Sequence, residues 1–368
     1  MNSKRPRARQ LGVPFDGLTG RLNAITDVAG LEVGNCTVMS GGPTHAPEAP
    51  TVRTGVTAIH PLGKVAHRGV AAGWFALNGN GEMTGTTFID EFGAFFGPVV
   101  LTNTLSLGIA RDAVVEWSRD RLKDPLALIA RTTPVAAETW DGKLNDIYGF
   151  HVGKEHVFSA LSEAVGGPVA EGNVGGGTGM TAYDFKAGIG TSSRRVEAEP
   201  GTFTVGVLVQ ANYGKRHQLT IAGVPIGREI TDLMPAAQPK AAGDGSIIVV
   251  IATDAPLLPS QLKPLAKRAS LGLARNGSIA ANTSGDIFLA CSTANTVSYG
   301  SRGIQRFDFI PTESLDPFFS STVEATEEAV INALLAAETM TGLNGVTYHA
   351  LPHRRLQQVL RSYHRLLE

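Results

Sequence analysis

The residues that most directly suggest chemistry are Gly245 and Ser246, which stand where a polar loop meets a buried strand. The preceding segment 234–245 is rich in proline, alanine and glycine and has no hydrophobic period, which indicates an exposed loop. At Ser246 the sequence changes abruptly to the β-branched run SIIVVIATD (246–254), which is typical of a buried strand. A hydroxyl side chain therefore follows directly after a small and conformationally permissive residue.

Two interpretations of this junction stay open from the local sequence. The loop can simply enter a strand with serine at its first position. Alternatively, the Ser246 hydroxyl attacks the Gly245 carbonyl and the chain cuts itself. Ser246 would then carry a nucleophile together with its own base, an α-amino group with a pKa near ~7.7–8.0. Glycine before the bond favours this chemistry because it adopts strained backbone conformations at little steric cost.

Other familiar catalytic patterns do not fit this sequence. The glycine run at 175–179 lacks the Gly-Lys-Ser/Thr ending of a phosphate loop, because Met180 follows it. The segment GNGEMTG at 79–85 has a spacing one residue too long for a dinucleotide fingerprint. The nine histidines show no paired metal-ligand spacing, and no G-x-S-x-G elbow with a clear histidine partner is found. We therefore expect neither a metal nor a nucleotide cofactor.

The elements that must position these residues mix strands and helices without regular alternation. Short β-rich runs between glycine turns, and apolar residues at helical spacing, define them. We expect short strands within 20–38 and strands at 52–60, 96–102, 202–211, 246–254 and 286–291, with helices at 105–119, 155–165, 260–275, 322–340 and 353–366. Because helices do not follow strands one by one, this order favours an α+β layered sandwich over a doubly wound sheet.

The composition excludes several classes of protein. Lysine plus arginine (32) nearly balances aspartate plus glutamate (33), so the basic excess typical of nucleic-acid binders is missing. With 43% apolar residues and a net charge of -1, the chain is not intrinsically disordered. Glycine accounts for 43 of 368 residues, above the usual ~7%, and shows no collagen period. The composition therefore indicates a globular protein with many turns and with backbone segments that pass close to one another.

Compartment and redox state are also indicated. Cys36 and Cys291 are far apart in the sequence, and we expect both to be buried thiols in a reducing compartment. The basic segment 1–10 is not followed by an apolar stretch, so no signal peptide is predicted. No run of about 18 apolar residues suggests a membrane span. These features predict a cytoplasmic protein without a membrane or nucleic-acid partner.

Several ordered motifs together resemble the DmpA family of self-processing aminopeptidases (peptidase family S58), which includes L-aminopeptidase/D-esterases and β-peptidyl aminopeptidases. The resemblance runs from about residue 11 to the C-terminus. The motifs are GVPF at 12–15, LNAITDV at 22–28, GNGEMTG at 79–85, LTNT at 101–104, GGGTGM at 175–180, GIGT at 188–191 and GDGSII at 243–248. The last of them looks like the cleavage site of the family.

The resemblance implies a cut between Gly245 and Ser246, which divides one structural domain into an α-chain portion (1–245) and a β-chain portion (246–368). Ser246 would form an acyl-enzyme with short peptides, amides or esters that carry a free amino group, without a cofactor. The implied fold is a four-layer αββα sandwich like that of ornithine acetyltransferase. Its layers match those of N-terminal-nucleophile hydrolases, but its connectivity differs. Family members form tetramers of αβ units, so we expect a homo-oligomer.

The resemblance also assigns a hydroxyl and carboxylate pair to Ser284 and Asp286. Ser284 would hold the Ser246 hydroxyl, and Asp286 would orient the pair. Some family members have glutamate where this chain has Asp286, so the geometry here depends on a shorter side chain.

Three further assignments follow from the resemblance. Asn212 and Tyr148 would donate hydrogen bonds to the developing oxyanion. Asp146 would bind the ammonium group of the substrate, which would restrict cleavage to the N-terminal residue. Asn103 and the glycine run at 175–179 would border the pocket without taking part in a step.

Three alternatives to a general serine aminopeptidase remain. The enzyme can prefer β-peptides over L-α-peptides and D-esters, which depends on the volume of the pocket. It can be an amide-oligomer hydrolase or acyltransferase on the related fold, although those usually use threonine where this chain has Ser246. It can be an uncleaved, non-catalytic binding protein, which the joint presence of Ser246, Ser284 and Asn212 argues against.

Overall fold

Two β-sheets pack face to face, and helices cover the outer face of each sheet. This computed structural model describes residues 5–44, 46, 48–122, 125–199, 201–235 and 245–367. The order of the layers is helices, small sheet, large sheet, helices. The four-layer αββα sandwich expected from the sequence is thereby confirmed.

The bounds of the elements are as follows. The strands are β1 Glu32–Ser40, β2 Val52–His60, β3 Gly69–Gly79, β4 Ala94–Phe96, β5 Val99–Asn103, β6 Val135–Thr139, β7 Thr181–Ala182, β8 Phe185–Lys186, β9 Ile189–Ala198, β10 Gly201–Tyr213, β11 Gly245–Thr253, β12 Gly285–Val297, β13 Met340–Thr341 and β14 Thr347–Tyr348. The helices are α1 Thr86–Phe92, α2 Leu107–Arg121, α3 Pro125–Ile129, α4 Lys154–Ser162, α5 Ile226–Glu229, α6 Pro259–Arg275, α7 Asp316–Ala336 and α8 His353–Ser362.

The smaller sheet has the strand order β1-β2-β5-β6, with only β5 and β6 parallel. Its outer face packs on α2 and α4, where Val56 and Val100 contact the cluster that includes Trp117 and Leu161. Every residue of β2 is buried, because helices cover one of its faces and the larger sheet covers the other. This two-sided burial explains why β2 has no polar-apolar alternation.

The larger sheet has the order β4-β3-β12-β11-β10-β9, with β11 and β12 parallel and the other pairs antiparallel. In this sheet, β11 and β12 contain the residues after the Gly245–Ser246 bond, and they lie between β3 and β10, which precede the bond. Helices α6 and α7 cover the outer face of this sheet. The expected portions 1–245 and 246–368 thus share one sheet and one core.

The apolar run of β11 is buried on both faces. Ile247, Val249 and Ile251 point into the core under α6 and α7. Ile248 and Val250 point into the core between the two sheets. Burial of a strand on both sides favours an unbroken β-branched run, which is the pattern that predicted this strand.

The structure corrects some expectations. Helix α7 begins at Asp316, six residues earlier than expected, because Pro317 fits the first turn of a helix. Cys291 is buried, but Cys36 is only partly buried, because β1 is an edge strand. Most of the loop expected at 234–245 (residues 236–244) lies outside the described residues. Within the described ranges, no helix combines the length and apolar character needed to cross a membrane.

Candidate active site

Ser246 is the second residue of β11 and lies between two strands that carry other expected site residues. It pairs with Asn212 on β10 and with Gly285 on β12. Its side chain is only 4% exposed, and its Oγ makes no hydrogen bond within the described part of the chain. Buried hydroxyl groups are usually hydrogen-bonded, so a buried hydroxyl without a partner is unusual. A role as nucleophile would explain this exception at Ser246.

Gly245 occupies a backbone conformation that only glycine adopts readily. Its φ is +115°, and an added Cβ would lie 2.2 Å from the Asn212 carbonyl oxygen. Both the dihedral angle and the close approach of β10 therefore require glycine directly before Ser246.

We expect Gly245→Ala to slow self-cleavage by about 10-fold or more, because the methyl group strains the backbone and pushes β10 away from Ser246. Denaturing electrophoresis over time after induction measures the uncut fraction. Gly223→Ala is the matched control, because Gly223 also has positive φ (+78°) but open space around it. Cleavage of Gly245→Ala at the wild-type rate would contradict the prediction.

Ser284 and Asp286 lie on either side of Gly285 at the start of β12, and both are buried. Ser284 Oγ donates a hydrogen bond to Asp286 Oδ1 at 2.6 Å. Burial raises the pKa of Asp286, and the hydrogen bonds from Ser284 and Asn78 oppose this shift. Ser284 and Asp286 therefore contact each other directly before and after Gly285, the residue that pairs with Ser246. No hydrogen bond between described atoms joins Ser284 to Ser246.

Asn78 is a site residue that the sequence analysis missed. Its Nδ2 contacts Asp286 Oδ2 at 3.4 Å and also donates to the Ala280 and Ala281 carbonyls. A β-bulge interrupts the pairing of β3 with β12 directly after Asp286. Bulges often reorient side chains beside active sites. Asn78 therefore connects the carboxylate to the loop that precedes Ser284.

The side chain of Asn212 is held by two hydrogen bonds. Thr181 N donates to Oδ1 at 2.9 Å, and Nδ2 donates to the Trp140 carbonyl at 2.8 Å. Neither bond uses the second N–H of Nδ2. Because Asn212 is directly opposite Ser246 in the sheet, this N–H is suitably placed to stabilise an oxyanion.

Tyr148 and Asp146 make contacts with other residues than Ser246 and Asn212 in the described structure. Tyr148 is 73% exposed, and its ring packs edge-on against Trp140 with centroids 6.2 Å apart. Asp146 Oδ2 pairs with His151 Nε2 at 2.9 Å. No hydrogen bond among the described residues joins Tyr148 to Ser246 or to Asn212. In this structure Tyr148 thus contacts Trp140 and Asp146 contacts His151, and the roles expected for both residues stay predictions.

Glu138 is a second residue that the sequence analysis missed. It is only 4% exposed, and it accepts hydrogen bonds from Glu82 N at 2.9 Å and from the Thr104 hydroxyl. A Cβ added to Gly81 would lie 3.2 Å from Glu138 Oε1 and 3.1 Å from the Gly285 Cα. Burial raises the pKa of this carboxylate. The signal in the sequence was that Glu138 is the only charged residue of β6 (VAAET).

Comparison with known proteins agrees with this geometry. The sequence model of peptidase family S58 matches residues 23–348. The chain is 50% identical to "Beta-peptidyl aminopeptidase BapA" of Sphingosinicella xenopeptidilytica over 97% of this chain and 91% of that protein. The L-aminopeptidase D-Ala-esterase/amidase of Ochrobactrum anthropi is 48% identical, with a TM-score of 0.91 and coverage of 98% and 100%. The Burkholderia sp. beta-aminopeptidase is 43% identical, with a TM-score of 0.87 and coverage of 97% and 99%.

Proposed function

Because the chain belongs to peptidase family S58, we propose that Ser246 is the nucleophile of this serine aminopeptidase and that a cut after Gly245 generates it. The observation that carries the assignment is the Ser246 hydroxyl, buried and without a hydrogen bond in the described structure, between Asn212 and Gly285. N-terminal sequencing of the smaller fragment tests the cleavage site, and the expected sequence is Ser-Ile-Ile.

In the cleaved enzyme, the free α-amino group of Ser246 accepts the proton of its own hydroxyl. The Oγ then attacks the substrate carbonyl, and the N–H of Asn212 stabilises the resulting oxyanion. Collapse of this intermediate breaks the bond to the leaving amine, which takes up the proton. Water then attacks the acyl-enzyme ester with the same amine as base, which releases the acid and restores the Ser246 hydroxyl.

In the uncut chain, Ser246 N belongs to a peptide bond and cannot act as this base. The Oγ would attack the Gly245 carbonyl and form an ester in place of the amide, with Ser284 and Asp286 holding the hydroxyl. Water would then hydrolyse the ester and leave a Gly245 carboxylate and a Ser246 amine. The products, 1–245 and 246–368, would stay together because β12 and β11 of the second portion lie between β3 and β10 of the first in the larger sheet.

The substrate ammonium requires a carboxylate close to the nucleophile. Glu138 is buried beside Gly81, which packs against Gly285, the strand partner of Ser246, whereas Asp146 is already paired with His151. We therefore assign the main ammonium contact to Glu138 and leave Asp146 a secondary role. A buried carboxylate discriminates strongly against substrates that lack a free amine, because its charge would otherwise stay unpaired.

The relatives named beta-peptidyl aminopeptidases suggest that this enzyme prefers an N-terminal β-amino acid. We expect a higher kcat/KM for β3-homoalanine p-nitroanilide than for the L-alanine compound. Glu138→Gln should raise KM for the preferred substrate by about 10-fold or more, and Asp146→Asn should raise it less, because Glu138 is buried beside Gly81 whereas Asp146 is partly exposed and already paired with His151. Steady-state kinetics measure both. The reverse order of the two variants would overturn the Glu138 assignment.

Assembly into a tetramer of αβ units also remains a proposal. An exposed apolar cluster supports it: Phe92 stacks on Phe88, which contacts Phe96, and Phe96 contacts Tyr299. Phe92 and Tyr299 are both exposed on a single chain. Contiguous exposed apolar groups of this kind often mark contacts between subunits.

A further inference from the structure

Lys186 is a fully buried lysine that the proposed mechanism does not use. It ends β8, and its Nζ donates to the carbonyls of Met180 at 2.6 Å, Ala187 at 2.7 Å and Gly177 at 3.4 Å. Burial lowers the pKa of Lys186 well below its usual value, and the charge of Asp141 opposes this shift. A buried amine is costly, so three directed contacts to carbonyls indicate a specific role.

These contacts fix the turn at 177–180, which leads directly into β7. Thr181 N, the first donor of β7, binds Asn212 Oδ1. Strands β7 and β8 form a tight hairpin, and its Tyr183 N donates to the Tyr213 carbonyl at 2.8 Å. The hairpin therefore supports both the Asn212 side chain and the backbone that follows it.

We propose that Lys186 is a positioning residue that keeps the Asn212 amide in the orientation needed to stabilise the oxyanion. The inference rests on the proposed role of Asn212 as the oxyanion donor. It also gives a role to the glycine run at 175–179, because Lys186 binds the carbonyl of Gly177 within the run and that of Met180 directly after it.

The orientation matters because the two ends of an amide side chain have opposite hydrogen-bonding character. The Thr181 N–H can only donate, and the Trp140 carbonyl can only accept, so together they select one orientation of Asn212. The opposite orientation would turn Oδ1 towards the negative oxyanion and repel it. If Lys186 were replaced, Thr181 would be displaced and Asn212 would lose the contact to its Oδ1. Only the Trp140 carbonyl would then select the orientation of the amide.

A purely structural role for Lys186 makes a different prediction. Arg131 is a matched case, because it is also buried and donates to a carbonyl, that of Ala66, at 2.6 Å. Arg131→Met should lower the melting temperature without changing kcat. If Lys186 only stabilised the fold, Lys186→Met would behave in the same way.

The test is a double-mutant cycle on Lys186→Met and Asn212→Ala, with rates expressed per cleaved chain. We expect Asn212→Ala to lower kcat by about 10²–10³-fold. Lys186→Met should lower kcat by about 10-fold or more, with KM within about 3-fold of wild type. In the Asn212→Ala background, Lys186→Met should lower kcat by less than about 3-fold, because residues that act through one another are not additive.

The outcomes separate this inference from the proposed function. The same loss from Lys186→Met in both backgrounds would overturn the inference and leave the role of Asn212 intact. An unchanged kcat in Asn212→Ala would instead refute the role of Asn212. If a variant does not cleave itself, a crystal structure of uncut Lys186→Met provides the second readout. We expect the contact between Thr181 N and Asn212 Oδ1 to be broken, and an unchanged distance of 2.9 Å would overturn the inference.

Discussion

Replacing Ser246 with alanine is expected to leave a single uncut chain of 368 residues and to lower kcat/KM by at least about 10⁴-fold. The loss is this large because, in the proposed mechanism, one hydroxyl serves as nucleophile twice, first on the Gly245 carbonyl and then on the substrate. Without the first reaction, the α-amino group that acts as base is never released. Denaturing electrophoresis and hydrolysis of an amino acid p-nitroanilide measure the two losses separately.

Ser118→Ala is the matched control for this variant. Ser118 lies on α2, and its hydroxyl is also buried without a hydrogen bond to the described residues. The Ser118→Ala variant should cleave itself and should hydrolyse substrate at the wild-type rate. Two bands from Ser246→Ala, or hydrolysis by its uncut chain, would show that another residue is the nucleophile.

Replacing Asp286 with asparagine should lower kcat/KM by about 10²-fold. The carboxylate accepts the Ser284 hydroxyl at 2.6 Å and has Asn78 Nδ2 near its second oxygen at 3.4 Å. An amide in this position is neutral, and one of its ends is a donor that would face the donor of Asn78. Ser284 would then lose the charged acceptor that holds its hydroxyl beside Gly285, the strand partner of Ser246. Steady-state kinetics on the cleaved enzyme measure the loss.

Asp254→Asn controls for the loss of a partly buried carboxylate next to the same sheet. Asp254 directly follows β11 at the far end from Ser246, and burial raises its pKa as well. It accepts a hydrogen bond from Thr204 N and touches none of the proposed site residues. We expect its kcat/KM to stay within about 3-fold of wild type. Wild-type activity in Asp286→Asn would remove Asp286 from the site.

The parts of the site that the sequence predicted are local. The loop-to-strand change marked Ser246 and β11, and only two residues separate Ser284 from Asp286. Asn78 and Glu138 were missed because Asn78 contacts Asp286, more than two hundred residues away in the sequence, and Glu138 lies beside Gly81, which packs on the distant Gly285. Such contacts follow from strand order and register, which a single sequence specifies weakly.

The same reason applies to the proposed ammonium contact. Asp146 and Tyr148 follow β6 closely in the sequence, and in the structure Asp146 pairs with His151 while the Tyr148 ring packs on Trp140. Glu138, inside β6, lies instead beside Gly81, which packs on Gly285. The four-layer fold, in contrast, was accessible from motifs spread over most of the chain.

The insertion of β12 and β11 between β3 and β10 in the larger sheet has a consequence for the lifetime of the enzyme. Strands β11 and β12 fold between β3 and β10 while all four belong to one covalent chain. Once the bond before Ser246 is cut, an unfolded molecule would have to reassemble from two separate polypeptides, at a rate that depends on their concentration. The mature enzyme would then persist because its rate of unfolding is low, which is kinetic stability. Its fold would have to form in the precursor, before the chain is cut.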